Sequence, residues 1–437
     1  MQISYEPLRG FKDYVPPESD TLSWIAKTFE DVVRRFGYRE VRTPTVESFQ
    51  LFALKSGEEI RESMFVFKDK AGREVALRPE ITPSVVRVYL KEMRHWPKPI
   101  RLYYVGNVFR YDEPQFGRFR EFTQAGVEIL GADGLHYDVE LIEILEDFYD
   151  SIDLKKRMYK VNNIAVFKEL AKRAGVEGSE LDRFLRYLDK GMHDKAAELL
   201  AVRGAVEEAR AVEALASMGG NTDRIEFMRR ALSGLGNAES LLRHVDTLEK
   251  YVEMVRSIGA NVVVEPAFAR GIAYYTSIIF EVVVPGFPIS IAGGGRYDDL
   301  TCVYGGESLS TTGFAAGIER TMLALASEGK TRHVGVQVLL VLLVDDPSVY
   351  ARVYETVKML RTSNISVQYE VQPSTRLGRW LEYASKYSID YVIIVGRKEL
   401  EKGVATVRDM KSWSQSEVRL EDLIKVFTRG GEVRGTY

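Results

Sequence analysis

The chain contains a single cysteine, Cys302, among its 437 residues. One cysteine forms neither an intramolecular disulfide nor a cysteine-based zinc site, so we expect a reducing, cytoplasmic location and no structural metal. Long apolar runs are also missing, because the longest, within Val336 to Val344, is far shorter than the roughly 20 residues of a membrane-spanning helix. The first twenty residues have no apolar segment of the kind found in secretory signals. We therefore expect neither secretion nor insertion into a membrane.

An excess of positive charge is absent as well. Lys and Arg number 60 against 63 Asp and Glu, which gives a formal net charge of −3. Any RNA partner must therefore meet local basic patches rather than a basic surface as a whole. The glycine-rich stretch IAGGGRYD lacks both GxGxxG and GxxxxGK(S/T), so neither a Rossmann site nor a P-loop is supported. Its glycines more plausibly let a ligand lie against the backbone, with Tyr297 beside it.

Hydrophobic residues make up 45% of the chain and charged residues 28%, which is typical of a globular enzyme. The length predicts two or three domains. Apolar spacing predicts strands and helices up to about residue 153, charged helices from there to 258, and strands again from 261. A helix is predicted to begin near Thr311 and to carry Gly313, Gly317 and Arg320. Beyond residue 330, alternating strands and helices indicate a small parallel or mixed α/β domain.

The segment FRYDEPQFGRFREFTQAGVE, residues 109–128, is the richest in side chains that bind ligands. It is predicted to form two strands joined by a polar loop, with cations such as Arg110 at one end and Gln124 and Glu128 at the other. Guanidinium groups match phosphate oxygens, and the ring of Phe122 offers a face for a purine. The segment suits a triphosphate beside an amino acid. Taken in isolation, it also fits a surface hairpin crossed by ion pairs.

Two further segments place polar side chains where a ligand could be held. In LRPEIT, Glu80 and Thr82 are two residues apart at the end of a strand, so both can face one ammonium group. In RGIAYYT, Arg270 precedes Tyr274 and Tyr275, which a strand would direct to opposite sides, one into the core and one toward a pocket. Helix capping and ordinary strand packing are the alternatives for these two segments.

Taken in order, these segments resemble a class II aminoacyl-tRNA synthetase, and specifically the histidyl-tRNA synthetase family, over almost the whole chain. RGFKDYVPPE resembles the amino-terminal segment of that family, and YREVRTPTVE, centred on Pro44, resembles motif 1, which forms the family's dimer interface. FRYDEPQFGRFREF resembles motif 2. GFAAGIER, in which Arg320 can lie over an aromatic ring system, resembles motif 3. LRPEIT, RGIAYYT and AGGGRYD resemble segments of the histidine enzymes that other class II enzymes do not share.

The resemblance implies that histidine is activated with ATP and Mg²⁺ and transferred to tRNA(His). Arg110 and Arg270 would be catalytic, with Arg270 across from the reacting carboxylate, and no metal would be held by the protein alone. The residues implied to bind ATP are Arg110, Asp112, Arg118, Arg120, Phe122 and Arg320. The residues implied to bind histidine are Glu80, Thr82, Gln124, Glu128, Arg270, Tyr274, Tyr275 and Tyr297.

It also implies the domain organisation. An α+β catalytic domain with an antiparallel sheet would comprise residues 1–153 and 259–330, interrupted by a helical insertion at 154–258 that lies against the tRNA acceptor arm. An α/β anticodon-binding domain would follow at 331–437, and the chain would form a homodimer. The candidate RNA-facing cations are Arg376, Arg379, Lys398, Lys402 and Arg408, with a solvated charged surface as the alternative for most of them.

Two positions depart from the family's pattern. Ala273 stands where the family commonly has an acid, in RGLDYYT, and Asp112 stands where motif 2 often has Glu. The first departure leaves open a second function, that of a paralogue that binds histidine as a regulatory subunit without charging tRNA. The presence of Arg110, Arg270 and Arg320, together with the anticodon-like domain, favours the ligase.

Overall fold

The computed structural model describes residues 5–56, 58–217, 223–270, 274–330, 336–371, 377–429 and 432–433, so Ala273 and Arg376 lie outside the described residues. The chain divides into two compact units. The N-terminal unit comprises Met1–Asp13 and Ile25–Lys330, and the C-terminal unit comprises Tyr14–Trp24 and Thr331–Tyr437. Across the described ranges, every helix is too short or too polar to cross a bilayer.

The described residues form strands and helices in the following order along the chain. The strands are β1 (Arg39–Glu40), β2 (Val46–Ser48), β3 (Val66–Lys68), β4 (Glu74–Leu77), β5 (Ile100–Phe109), β6 (Glu121–Leu130), β7 (Met158–Asn163), β8 (Val262–Val264), β9 (Ile278–Val283), β10 (Ala292–Arg296), β11 (Thr311–Gly317), β12 (Val338–Leu342), β13 (Val367–Val371), β14 (Tyr391–Val395), β15 (Val404–Asp409), β16 (Gln415–Arg419), β17 (Thr428–Arg429) and β18 (Glu432–Val433). The helices are α1 (Glu18–Arg35), α2 (Gln50–Ser56), α3 (Thr82–Val88), α4 (His136–Ser151), α5 (Ala165–Arg173), α6 (Gly178–Asp189), α7 (His193–Ala201), α8 (Val206–Ala216), α9 (Arg224–Ser233), α10 (Glu239–Ser257), α11 (Leu300–Val303), α12 (Ile318–Ser327), α13 (Pro347–Thr362), α14 (Leu377–Lys386), α15 (Arg397–Lys402) and α16 (Leu423–Phe427).

The N-terminal unit is built on an eight-stranded sheet with the order β1-β5-β6-β11-β10-β9-β7-β8. The six central strands pair antiparallel, and only the two edge strands, β1 and β8, pair parallel to their neighbours. A separate three-stranded antiparallel sheet has the order β2-β4-β3. The predicted α+β class with an antiparallel sheet is confirmed.

Helices α1 and α4 contribute apolar side chains to the core of this unit. Ile25, Phe29 and Val33 of α1 are spaced for one helical face, and all three are fully buried. The ring of Phe29 meets Phe148 of α4 edge-on at 5.3 Å and Phe314 of β11 at 6.1 Å. Such aromatic contacts add to the burial of apolar area, so the sheet is held as a fixed platform.

The prediction of a helix beginning near Thr311 is wrong. Residues Thr311–Gly317 form strand β11, which pairs with β6 on one side and β10 on the other, and α12 begins only at Ile318. The sequence TTGFAAG has no strong intrinsic preference for helix or for strand. Hydrogen bonding to two neighbouring strands decides its conformation, because strand propensity depends on tertiary context.

The range predicted for a helical insertion, 154–258, begins with a strand. Strand β7 lies inside the predicted range and belongs to the eight-stranded sheet, where it pairs with β9 and β8. Helices α5 to α10 follow, the first beginning at Ala165 and the last ending at Ser257. The carboxylate of Asp223 accepts hydrogen bonds from the backbone N–H groups of Ile225 and Glu226, which caps the start of α9.

The C-terminal unit contains a five-stranded mixed sheet with the order β13-β12-β14-β15-β16. Strand β12 pairs parallel with both of its neighbours, and the pairs on the β15 side are antiparallel. Strand β12 is buried along its whole length, as its sequence VLLVL predicts for a central strand with both faces covered. The predicted mixed α/β domain is therefore confirmed.

Candidate active site

A cavity of the N-terminal unit, about 720 Å³ including its open mouth, gathers most of the predicted ligand residues. The predicted residues in its lining are Glu80, Thr82, Arg110, Phe122, Gln124, Glu128, Arg270, Tyr274, Tyr275, Tyr297 and Arg320. A second cavity shares four of these, Arg110, Phe122, Arg270 and Arg320, and adds Asp112 and Arg118. Arg110, Arg270 and Arg320, which are far apart in the sequence, thus line the same cavities.

The carboxylate of Glu128 is the centre of a hydroxyl network on β6. It accepts hydrogen bonds from Thr82 Oγ1 at 2.6 Å, from Tyr104 at 3.2 Å, and from the hydroxyl of Tyr297. Glu128 is only 2% exposed, so these donors fix the direction of a buried acid. Gly313 of β11 makes room for it, because a Cβ there would collide with Glu128 Oε2.

The side chain of Gln124, four residues earlier on β6, also faces the cavity. Its Oε1 is buried and finds no donor among the residues that the structure describes. A buried acceptor without a donor is costly, so its position at a cavity wall favours pairing with a ligand N–H. Together, Gln124 and Glu128 make this end of the cavity suitable for a ligand rich in N–H groups.

Three tyrosine rings form a cluster in the same wall. Tyr274 lies 4.9 Å from Tyr275 and 5.4 Å from Tyr297, measured between ring centroids. The prediction that Tyr274 and Tyr275 point to opposite sides of a strand is wrong, because neither residue is in a strand and both line the cavity. Burial raises the pKa of Tyr274 well above its usual value, so its hydroxyl stays a neutral donor at physiological pH.

Arg270 reaches the cavity from the segment before β9. Its Nη1 donates to Glu281 Oε1 at 3.0 Å, and its buried Nε has no acceptor among the described residues. Burial by itself would lower the pKa of Arg270, but the phenol of Tyr275 and the carboxylate of Glu281 raise it overall. Gly293 permits this position, since a Cβ there would overlap Arg270 Nη1. Arg270 is thus a fixed cation whose Nε–H could donate to a ligand.

Arg110 and Arg320 are held by backbone carbonyl groups. Arg110 Nε donates to Pro79 O at 3.0 Å, while its guanidinium lies 5.4 Å from the centroid of the Phe122 ring. Arg320 donates to the carbonyl groups of Gly117 and Ser290, each at 3.0 Å. Burial and the neighbouring Arg110 and Arg118 lower the pKa of Arg320 to about 10. The cations therefore repel one another, and a polyanion would relieve that repulsion.

Residues 10–321 match the histidyl-tRNA synthetase family, and residues 337–429 match the anticodon binding domain family. The chain belongs to the histidyl-tRNA synthetase family. A histidine–tRNA ligase of Sulfolobus acidocaldarius is 41% identical over 421 residues, which cover 96% of this chain and 97% of the relative. The resemblance read from the motifs is thus confirmed over nearly the full length.

Solved structures of this family have the same fold. Histidyl-tRNA synthetase from Nostoc sp. PCC 7120 matches with a TM-score of 0.81 and 21% identity, over 97% of this chain and 98% of that one. A protein from Bacillus halodurans, named as an ATP phosphoribosyltransferase regulatory subunit/histidyl-tRNA synthetase, matches with a TM-score of 0.74 and 21% identity, over 91% of this chain and 99% of that one. At this identity both comparisons show the fold alone.

Arg120 is the one predicted ligand residue that lines neither cavity. Its guanidinium lies 4.0 Å from the centroid of the Tyr111 ring, and its Nε donates to Asp112 O at 3.3 Å. Its backbone N–H donates to Gly10 O at 2.8 Å, which ties the amino-terminal segment of the family to the motif 2 strand. In this structure Arg120 contacts the motif 2 loop itself.

The structure adds acidic residues that sequence reasoning missed. Glu281, Glu319 and Asp189 line the second cavity, and Glu319 accepts from the backbone N–H and the hydroxyl of Thr123 at 2.9 to 3.0 Å. Glu281 had a detectable signal, since it is a lone acid in the apolar strand IIFEVV. Asp189, at the end of α6, had none, because only the fold brings that helix to the cavity.

Proposed function

We propose that this chain is a histidine–tRNA ligase that activates histidine with ATP and transfers it to tRNA(His). The observation that carries the proposal is the cavity in which three separated arginines meet a hydroxyl-bound acid and an unpaired amide oxygen. Cations suit the phosphates, and oriented acceptors suit the ammonium and imidazole N–H groups. Relatives named histidine–tRNA ligase, matching along 96% to 98% of the chain, support the ligase over the regulatory alternative.

In the first step, a carboxylate oxygen of histidine attacks the α-phosphorus of ATP, and pyrophosphate leaves with the electrons of the broken P–O bond. Both reactants are negatively charged, so fixed cations are needed where charge accumulates. We assign Arg110 to the α-phosphate and Arg270 to the space between that phosphate and the amino acid carboxylate. Asp112 and Phe122 would lie on the adenine side, with Arg320 on the opposite face and Arg118 near the outer phosphates.

Selection of histidine rests on matched hydrogen-bond partners. We assign Glu128, Gln124 and the tyrosine hydroxyls to the imidazole and ammonium groups, with Glu80 and Thr82 beside them. The hydroxyl of Thr82 donates its hydrogen bond to Glu128, so toward a ligand it can act only as an acceptor. An analogue that leaves these buried groups unpaired is rejected strongly, as in other sites built from hydrogen bonds.

Magnesium fits this site as part of the nucleotide. The described residues contain no group of three or more His, Cys, Asp or Glu side chains placed to hold a metal ion. Mg²⁺ usually takes one or two carboxylates and completes its shell with phosphate oxygens and water. Glu281 and Glu319, which line the cavity beside the arginines, would hold it there. The bound ion would supply further neutralisation of phosphate charge.

In the second step, a ribose hydroxyl of the terminal tRNA nucleotide attacks the carbonyl carbon of the adenylate, and AMP leaves. We propose that Arg120 meets tRNA only if the motif 2 loop rearranges, because its guanidinium now lies against Tyr111. The helices of residues 165–257 would contact the acceptor arm, and residues 331–437 would bind the anticodon. The match of residues 337–429 to the anticodon binding domain family supports the latter assignment.

We also propose a homodimer in the cytoplasm. The single cysteine fits a reducing compartment. The motif 1 region places a short strand, β1, at the edge of the main sheet, and in the three-stranded sheet Val46 of β2 and Phe67 of β3 are each 45% exposed. Large apolar side chains exposed together are typical of protein interfaces. Light scattering after gel filtration should give twice the 49.6 kDa mass of one chain, and a monomer would contradict the dimer.

Histidine-dependent exchange of pyrophosphate into ATP tests the proposed function. The ligase predicts exchange with histidine alone among the amino acids, followed by charging of a tRNA(His) transcript. A folded sample that binds histidine without exchange would support the regulatory alternative. Exchange with a different amino acid would instead overturn the assignment of the pocket.

A further inference from the structure

The hairpin between β15 and β16 presents an exposed tryptophan at its tip. Trp413 is 54% exposed and has a φ of +57°, a backbone conformation that L residues other than glycine rarely adopt. The turn that holds it is ordered by Asp409, whose carboxylate accepts from the backbone N–H groups of Lys411 and Ser412 at 2.8 and 2.9 Å. A large apolar ring is thus held in water at a conformational cost, a combination common at functional sites.

Arg408 lies against this ring. Its guanidinium carbon is 5.0 Å from the centroid of the Trp413 ring, which is within the range of a cation–π contact. Its Nε is buried and meets no acceptor among the residues described here. The pair therefore offers an exposed aromatic ring next to a positive charge.

Arg408 belongs to a sheet face that the helices of the described residues cover only in part. Arg408 and Thr406 pair with Val392 and Ile394 of β14, so their side chains lie on the same face as these two. Helix α14 packs over the β14 part of this face, where Val392 and Ile394 are buried. On β16, the opposing partners Gln415 and Glu417 are exposed.

The exposed part of this face is mainly polar. Thr406 and Gln415 add neutral hydrogen-bonding groups, and Glu417 lies 3.5 Å from Lys402 Nζ, which offsets its charge. Single-stranded RNA is bound by this type of surface, in which aromatic rings stack on bases and cations meet the backbone. A protein partner would instead favour a contiguous apolar patch, and the neighbouring side chains do not form one.

We propose that Trp413, stacked on Arg408, is the platform on which an unpaired base of the tRNA anticodon loop rests. This inference depends on the proposed function, since it takes tRNA(His) as the partner. The ring would stack on the base, and Arg408 would support the ring from behind while its positive charge attracts the RNA backbone. The positive φ fixes the ring before RNA arrives, so less conformational freedom is lost on binding.

The test uses full-length Trp413→Gly and Trp413→Phe variants with a tRNA(His) transcript. Glycine accepts a φ of +57° without strain, so Trp413→Gly should fold at least as stably as the parent. Removal of a stacked ring should raise the Kd and the KM for tRNA by about tenfold or more. Phenylalanine keeps an aromatic face and should restore part of the affinity.

Histidine-dependent pyrophosphate exchange serves as the internal control, because that step uses no tRNA. It should be the same in all variants. Tyr354→Ala is the matched control for an exposed aromatic residue, since Tyr354 is 57% exposed on α13, whose Val353 and Val357 pack on the opposite sheet face with Val407. Its Kd for tRNA should not change.

The outcomes separate the inference from the proposed function. An unchanged Kd in Trp413→Gly, with a parent protein that exchanges pyrophosphate and charges tRNA, overturns the platform and leaves the ligase intact. Absence of exchange in the parent contradicts the ligase. In that case, comparing the Kd of the parent and of Trp413→Gly for the transcript still tests the role of Trp413.

Discussion

Two arginines of the N-terminal cavity and two arginines of the C-terminal unit are held in different ways. In the N-terminal unit, Arg270 and Arg320 are held in a concave cavity by a carboxylate and by backbone carbonyl groups. In the C-terminal unit, Arg408 and Arg379 instead lie against tryptophan rings, at 5.0 and 6.0 Å from the ring centroids. The first arrangement suits a small polyanion, and the second provides the aromatic surface that we propose for RNA.

The reason for the difference is electrostatic. A cation inside a protein interacts more strongly with a developing charge than one in water, because the effective dielectric constant is lower there. A surface cation is screened by salt over about 8 Å at physiological ionic strength. Chemistry on a phosphate therefore needs buried, fixed arginines, whereas RNA binding sums many weak contacts. Substitution of a single arginine in the N-terminal cavity should therefore reduce the reaction rate strongly. Substitution of a single cation in the C-terminal unit should reduce tRNA affinity only slightly.

Arg270→Ala should give the largest effect. Loss of one preorganised donor at a reacting group commonly reduces the rate by roughly 10²- to 10³-fold, and we expect a loss of this order in the pyrophosphate exchange rate. The affinity for histidine should fall much less. Arg101→Ala, which removes an arginine paired with Glu140 at 2.8 Å outside the cavity, is the control and should leave exchange intact. Equal losses in the two variants would mean that Arg270 is only structural.

Glu128→Gln should have the next largest effect. The amide keeps the size of the side chain but removes the charge that Tyr297 and Thr82 now stabilise. A buried hydrogen bond to a charged group contributes about 1.5–3 kcal/mol, so kcat/KM for histidine should fall roughly 10- to 150-fold. The KM for ATP should stay the same. A matching rise in the KM for ATP would place Glu128 at the nucleotide instead.

Stabilisation by nucleotides should be intermediate in size. Burial and the repulsion from Arg110 and Arg118 lower the pKa of Arg320, and phosphates would relieve this repulsion whereas a neutral nucleoside would not. ATP at 100 times its Kd should stabilise the folded state by about 2.7 kcal/mol. Calorimetric scans should therefore show a higher Tm with ATP than with adenosine at the same concentration, and added salt should narrow the gap. Equal shifts would show that the adenine ring, and not the arginine cluster, dominates binding.

Single substitutions of the C-terminal lysines should have the smallest effect. Lys398→Ala and Lys402→Ala each remove at most one phosphate contact, so each should lower the slope of log Kd for tRNA against log salt by about one. Exchange should be unaffected. A loss of tRNA affinity as large as that of Trp413→Gly would mean that the lysine contacts a base and not only the RNA backbone.

Much of the site was predictable because its residues occur in short segments with their own chemistry. Motif 2 places Arg110, Phe122, Gln124 and Glu128 within one hairpin, and local strand pairing alone brings them to one surface. The same holds for the alternation of strands and helices predicted beyond residue 330, which β12, α13 and β13 show. Sequence periodicity therefore predicted elements that form from nearby residues, and the motifs with their family resemblance predicted most of the cavity-lining side chains.

Tertiary structure decided what depends on distant neighbours. Thr311–Gly317 became a strand only because β6 and β10 lie on either side of it. Glu281 and Asp189 reached the arginines from other parts of the chain, and Arg120 turned to Tyr111. The sequence by itself determined the family, the motifs and the types of ligand group. The directions in which those groups point were set by the fold, because packing and long-range hydrogen bonds outweigh weak local preferences.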